Sequence, residues 1–411
     1  MKVAMTLSLQ RSNCLNPLHL HKRFVVVLAL ALLTLLVSAC APARIGVSWG
    51  ALTEVEIYGQ KGVLIAYNHY LSLLDPATGV AIALRDSEGR ERIDEGGNRR
   101  LWVLDGHNYE NAQFFTRPVK MTDAGVNTLL FAAYNDRLLK VTLDAARLDD
   151  VRGVPMGAPM ISDVVEDEER LYVALKTGDV VAMNKTLLRE DWRYDTPKGI
   201  WAAPLLHEGV LYAVSIDHSM HAIDAETGKA VWRTPLDLGG VAAATPLFHD
   251  GHLYVGSYAG KLLKVTLEGR IAGEYQVNNW IWSTPVFHEG LLYVTDLGGF
   301  VHAVDPATMK AVWSEKVAEK GIRPSPLVTD KYVVVASRDG RVYWLDRRDG
   351  VLVFTREVEG RPEILSELLL VKADPQRGLA EDMVVVSTVQ MSHLVVAYAL
   401  DNGRAAWVYA R

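Results

Sequence analysis

Trp201-Ala-Ala-Pro-Leu-Leu-His-Glu-Gly-Val-Leu-Tyr-Ala-Val-Ser-Ile-Asp-His-Ser-Met-His-Ala-Ile-Asp-Ala-Glu-Thr-Gly-Lys-Ala-Val-Trp232 is the stretch that decides the fold. Short apolar runs rich in Val, Leu and Tyr are cut by His207-Glu-Gly209, Asp217-His-Ser219 and Glu226-Thr-Gly228. Runs of this length between turn-forming residues read as successive antiparallel strands of one small sheet. The pattern then recurs. Tyr212 is answered by Tyr172, Tyr254 and Tyr293, and Trp232 by Trp192 and Trp313, at a spacing of about forty residues. A four-strand unit with that period reads as a blade of an all-β propeller, whose sheets bury their faces against one another.

Outward from this unit, blade three ends at Trp192, blade five has Gly273 where the outer Trp would be, and blade six runs to Trp313. Blade seven ends at Phe354, and blade eight runs from Leu368 to Trp407. On the N-terminal side, Glu54–Tyr58, Val63–Tyr67 and Tyr70–Leu74 form a first blade, and Leu129–Tyr134 with Leu138–Thr142 a second. Between Arg85 and Asn127 the pattern loosens, and the charged part, Arg85–Arg100, reads as an exposed insertion at the outer edge. The expectation is an eight-bladed β-propeller over residues 51–411, with seven blades the alternative that the loose first units leave open.

At 411 residues with 49% hydrophobic content, the chain can supply the cores of such a ring. The formal charge is −6, and it becomes −10 once the four basic residues ahead of Cys40 are set aside. That sign, without a basic stripe, argues against nucleic acid as a partner. The two cysteines, Cys14 and Cys40, both precede the repeats, so the propeller holds no disulfide, no Cys-ligated metal and no Cys-x-x-Cys-His haem attachment.

His21-Lys-Arg23 followed by the apolar run Phe24–Leu36 and small residues reads as a secretory signal over residues 1–39, too short for a comfortable membrane span. Val37-Ser-Ala-Cys40 resembles the bacterial lipobox. That resemblance implies cleavage before Cys40, lipid on its sulfur and amino group, and a tether over residues 40–50. Ala41 rather than Asp implies sorting to the outer membrane, on its periplasmic side.

Ala222-Ile-Asp224-Ala-Glu-Thr227-Gly228-Lys-Ala-Val-Trp232 resembles the docking motif of the pyrroloquinoline quinone (PQQ) repeat. Asp224 and Thr227 suit a capped tight turn, Gly228 a positive φ, and Trp232 the seam with the next blade. Asp305 and Trp313 repeat the motif with Met309 in place of Gly, while Asp346, Gly350 and Phe354 keep a weaker form. Two branches of this fold family differ in function. Quinoprotein dehydrogenases carry a vicinal cysteine disulfide, a Ca²⁺ held by Glu, Asn and Asp, and a catalytic Asp. The chain is more similar to the lipoprotein family of outer-membrane assembly factors known as BamB, in its lipobox, length, blade count and lack of that equipment. This second resemblance implies no catalytic residue, no metal and no cofactor. It also implies binding to envelope proteins, with the barrel component BamA as partner. One departure is that Gly240-Val-Ala-Ala-Ala244 stands before Thr245-Pro246, where that family carries an acidic stretch.

In blades with strands A to D from the centre outward, the D–A and B–C loops share one face. That face is expected to collect Trp201, Trp280, Trp282 and Arg323 ahead of inner strands, and Asp217, His218, Asp296, Arg338 and Asp339 from B–C turns. Aromatic and Arg side chains around a concave mouth suit an interface with protein, though Trp residues there could equally plug the channel. A saccharide is a further option. His207, His249 and His288 occupy one repeat position and read as turn formers, a blade apart and too distant to share a metal.

Overall fold

The computed structural model describes residues 49–86, 88–123, 126–142 and 152–411. The expected signal segment and Cys40 lie outside the described residues. Eight antiparallel sheets of four strands follow one another along the chain, and each is built from consecutive strands. The propeller therefore has eight blades. Besides strands and turns, the described residues hold only three 3₁₀ turns, Gly106–Asn108, Pro375–Arg377 and Met391–His393.

The loosened stretch before Asn127 is less of an insertion than its sequence suggests. It contains strand D of blade one (Val103–Asp105) and strand A of blade two (Val119–Asp123). Only the segment around Arg85–Arg100 stands outside the blades. Its three passes bond in a cycle, Arg92 N to Leu84 O, Arg100 N to Arg92 O and Leu84 N to Arg100 O, at 2.7–2.9 Å. Asp86 and Asp94 each accept two backbone amides to hold its turns. The ring also begins earlier than the expected tether boundary. Gly50 offers its carbonyl to the Ser387 hydroxyl, and Trp49 packs on Phe115.

Alternating apolar residues on B and C strands send side chains to both sheet faces, so each blade has two faces to bury. The buried apolar residues fall into eight clusters, and each draws on two neighbouring blades. The cores of this protein are thus its seams. The last of them joins blade eight to blade one, where Trp407 donates from Nε1 to the Pro76 carbonyl at 2.9 Å.

One contact recurs at the outer rim of the seams. Trp192, Trp232, Trp313 and Trp407 each lie on a glycine of the next blade, Gly228, Gly269, Gly350 and Gly79, where a Cβ would fall within 3.0 Å of an indole carbon. Each indole N–H donates to a carbonyl of that same turn, Ala225, Leu267, Arg347 and Pro76, at 2.8–3.1 Å. Asp224 accepts from Thr227 N and Oγ1, both at 2.7 Å, and Gly228 has φ +70°, as the motif predicts. The delivery of Trp232 differs from expectation. Strand D of blade four is reduced to Leu236–Asp237, and Trp232 lies in irregular chain ahead of it.

The seam between blades five and six is built the other way round. Gly273 replaces the indole and Met309, at φ +50°, replaces the glycine, so that a Cβ on Gly273 would lie 2.9 Å from Met309 Cγ. The hydrogen bond is kept by a different donor: Lys264 Nζ reaches the Pro306 carbonyl at 2.9 Å. Gly273→Trp is expected to lower the unfolding midpoint by collision with Met309, and Met309→Gly to lower it by leaving a void. The double variant should recover much of both losses, with a coupling on the order of 1–3 kcal/mol in a urea-unfolding mutant cycle. Strictly additive losses would contradict this account of the seam.

Candidate functional site

The D–A loops rise to one face of the ring, and the repeat places equivalent residues at equal heights there. Two residues before each inner strand stand Trp49, Arg117, Asp163, Ala203, Thr245, Thr284, Ser325 and Glu367. Neighbours on this level bond around the ring. Arg117 grips Asp163 through its backbone N and its Nε, both at 2.7 Å, and Ser325 donates to Glu367 from N at 2.8 Å and from Oγ at 3.1 Å. Asp163 raises the Arg117 pKa, whereas burial pushes the Glu367 carboxyl up against the opposing pull of Arg117 and Ser325.

Four residues before the inner strands, nearer the mouth, stand Phe115, Ile161, Trp201, Ala243, Trp282, Arg323 and Leu365. Ala243 falls between Trp201 and Trp282 in blade order. With only a methyl group there, the two indoles approach to 6.3 Å between centroids. Arg323 lies between two indoles, its guanidinium carbon 4.2 Å from the Trp49 centroid and 4.4 Å from that of Trp282. Cation–π contact favours this position, and burial pushes the Arg323 pKa down to about 10, so it is still charged at neutral pH.

The aromatic array continues both ways. Trp49 meets Phe115 at 5.2 Å, Phe115 meets Tyr134 at 5.3 Å, and Lys176 Nζ donates to the Tyr134 hydroxyl at 2.8 Å. On the other side Tyr258 lies 5.5 Å from Trp282 and stacks on Trp280 at 4.9 Å with the planes 3° apart. Trp280 is 51% exposed, the one tryptophan among the large exposed apolar residues. It presents a flat, pre-oriented indole face to solvent.

The structure places Trp201, Trp280, Trp282 and Arg323 in one array with Trp49, Phe115, Tyr134, Lys176 and Tyr258. It does not bring the B–C acids to the surface. Asp296 is fully buried, accepting from the amides of Asn279, Gly298 and Phe300 and lying 3.4 Å from His302 Nε2. Asp339, also buried, accepts from the amides of Glu319 and Arg341 and from the Tyr343 hydroxyl. Asp217 accepts the Ser219 amide and lies 3.7 Å from the buried His221, whose pKa burial lowers against the opposing pull of Asp217. Short acidic side chains bond their own turns before they reach solvent. Asp296 and Asp339 are thus turn and seam residues, unavailable to a partner. His218 and Arg338 do stay exposed, Arg338 donating to Glu363 at 3.0 Å.

The A–B turns face the other way. His207 and His249 are more than turn formers, since each stacks on the Phe of the next blade, Phe248 or Phe287, at 3.5 Å. The positive φ of these turns falls instead on Glu208, Asp250 and Glu289. His288, Glu289 and Asp330 form the one group among the described residues spaced to hold a cation, and Glu289 is already paired with Arg347. A quinone–Ca²⁺ centre does not fit these residues. No cysteine follows Cys40, and the acids nearest the mouth serve turns or are paired.

An eight-bladed propeller of PQQ-like repeats with an aromatic, Arg-centred mouth is the class of protein that fold and site define. Residues 93–280 and 276–411 match the family model described as outer membrane protein assembly factor BamB, and the chain belongs to that family. It is 26% identical over 147 residues to BamB of Salmonella typhimurium, which is 35% of this chain and 36% of the relative. Over 174 residues it is 29% identical to the quinohemoprotein alcohol dehydrogenase ADH IIB of Pseudomonas putida, 39% of this chain and 22% of that enzyme. The chain thus spans about a third or less of the length of these relatives. The crystal structure of BamB from Moraxella catarrhalis superposes with a TM-score of 0.57 at 15% identity, covering 84% of this chain and 99% of that one. A computationally designed protein, Ika8, gives 0.62 at 12% identity over 86% and 97%. Both show the shared fold.

Asp296 offers a direct test of the assignment of acids to structure. Burial acts to raise its pKa, but the hydrogen bonds from His302 and from the Phe300 and Gly298 amides outweigh it and hold the carboxyl below the usual range. A depressed pKa stabilises the fold above the unfolded value of about 3.9, and that contribution is lost as pH falls through the folded value. Asp296→Asn should therefore cost about 3 kcal/mol at pH 7 and progressively less below pH 4. A deficit that stays constant across that range in thermal melts would contradict the assignment.

Proposed function

We propose that this propeller is a non-enzymatic scaffold of the bacterial envelope, anchored through lipid at Cys40 and docking a protein of the outer-membrane assembly machinery on its mouth face. The observation that carries this reading is the aromatic array with Trp280 at its exposed end. A rigid indole beside further aromatic residues and Arg is the composition of an interface hot spot, and it is confined to the face that holds the loops. The barrel component BamA is the partner that the family suggests. Gly240–Ala244 lacks the acidic stretch at the corresponding place, and its alanines are buried. Contact in this chain accordingly runs through the aromatic mouth rather than through carboxylates of that loop.

A photo-crosslinking residue at Trp280 or Arg338 should capture a discrete envelope protein from detergent extracts, with no capture from a residue at Glu208 on the opposite face. Trp280→Ala in an otherwise unchanged chain should weaken capture about tenfold or more. The Cys40→Ser chain, expected in the soluble fraction, serves as the control for anchoring. Recovery of no envelope protein from either mouth position would sink the reading.

The likeness to a quinohemoprotein dehydrogenase supplies the competing reading. Titration of purified protein with PQQ and Ca²⁺ is expected to leave the quinone absorbance unchanged and unbound after gel filtration. Stoichiometric retention of the quinone would overturn the non-enzymatic assignment.

A further inference from the structure

Arg117, Arg323, Arg338 and Arg361 stand on the loops of the mouth face, and they differ in one respect. Arg117 is held by Asp163, Arg338 by Glu363 and Arg361 by Glu319. Arg323 has no carboxylate within ion-pair distance and makes no side-chain hydrogen bond among the described residues; it lies over the rings of Trp49 and Trp282, with Tyr258 and Glu367 acting on it electrostatically. A guanidinium carries five N–H donors in a planar fork, and stacking on aromatic faces uses none of them. Its central carbon lies over both indole rings, and among the described residues the fork has no hydrogen-bonded protein acceptor. Of the carboxylates that act on it from a distance, Glu367 is engaged by Ser325 and Glu363 by Arg338.

Resting on the docking role of this face, we infer that Arg323 is the anchor for a carboxylate of the partner protein, an Asp or Glu side chain set among apolar or aromatic residues. A planar fork held between two rings is pre-organised for bidentate pairing, so little rotamer freedom is lost when the acid arrives. The surroundings select the rest of the ligand. Trp201, Tyr258 and Trp280 offer ring faces to apolar neighbours of the acid. The chain beyond the four N-terminal basic residues carries a net −10, which disfavours a polyanion or an anionic membrane surface. One carboxylate on an apolar segment meets both conditions.

The test uses the folded soluble chain, Cys40→Ser, on an array of peptides Leu-Phe-X-Phe-Leu in which X is Glu, Gln, Asp, Asn or Lys. Retention should favour Glu and Asp over their amides by at least tenfold, and Arg323→Gln should abolish that preference while Trp fluorescence and the melting curve report an intact fold. Arg323→Lys, which keeps the charge but loses the fork and its stacking, should retain only a small part of it. Equal retention of Glu and Gln peptides, or a preference that survives Arg323→Gln, would overturn the anchor. Persistent crosslinking from Trp280 in that case would leave the docking face standing. No retention of any peptide together with no crosslink would remove both.

Discussion

An indole lying flat on a glycine is the contact on which this ring depends. A blade of four short strands has two apolar faces and cannot cover either by itself, so its stability is held in the seams. At the outer rim each seam needs a large apolar group from one blade, a matching gap in the next, and a donor for the carbonyl that the turn leaves over. Trp313, Gly350 and the Arg347 carbonyl supply these between blades six and seven. Between blades five and six the roles are exchanged, with Met309 as the filler, Gly273 as the gap and Lys264 as the donor. Phe354 lies on Gly403 without an N–H to give, and there Arg356 donates to the Gly403 and Asn402 carbonyls. What recurs across the six seams from blade three round to blade one is the sum of volume and hydrogen bonding, carried by different residues.

That closure leaves the loops free to vary, and it fixes where they can matter. The A–B turns carry short hairpins whose His and Phe residues stack blade to blade. The D–A and B–C loops converge at the opposite face, where residues at one repeat position stand at one height. An aromatic array can form across separate blades because the fold sets their spacing, and because Ala243 leaves room for Trp201 and Trp282 to meet.

The repeat made the blades legible, since the spacing of Tyr and Trp reports sheet edges directly, and Trp201, Trp280, Trp282 and Arg323 were legible as mouth residues from their place ahead of inner strands. Phe115 occupies the same repeat position as Trp201, but blade two lacks the surrounding pattern that would mark it. Trp49 reads as tether in the sequence because its partners, Phe115 and Arg323, lie far away along the chain. Tyr258 sits where other blades have turn residues, so nothing local marks it as the support for Trp280. The acids differ from their sequence reading in the opposite direction. Asp296 and Asp339 stand in turns like exposed residues do, and only the fold shows amide and side-chain donors closing around each carboxylate.

Function in this account is a matter of which face is used, and hydrogen–deuterium exchange can read every face at once. Exchange of the intact chain, alone and bound in detergent-solubilised envelopes, is predicted to show new protection in the mouth loops around residues 199–203, 256–260, 278–283 and 320–324. The A–B turns at 207–209, 249–251 and 288–290 should exchange as before. Protection confined to those turns or to the outer strands, with the mouth loops unchanged, would contradict the central claim that the aromatic mouth is where this propeller meets its partner.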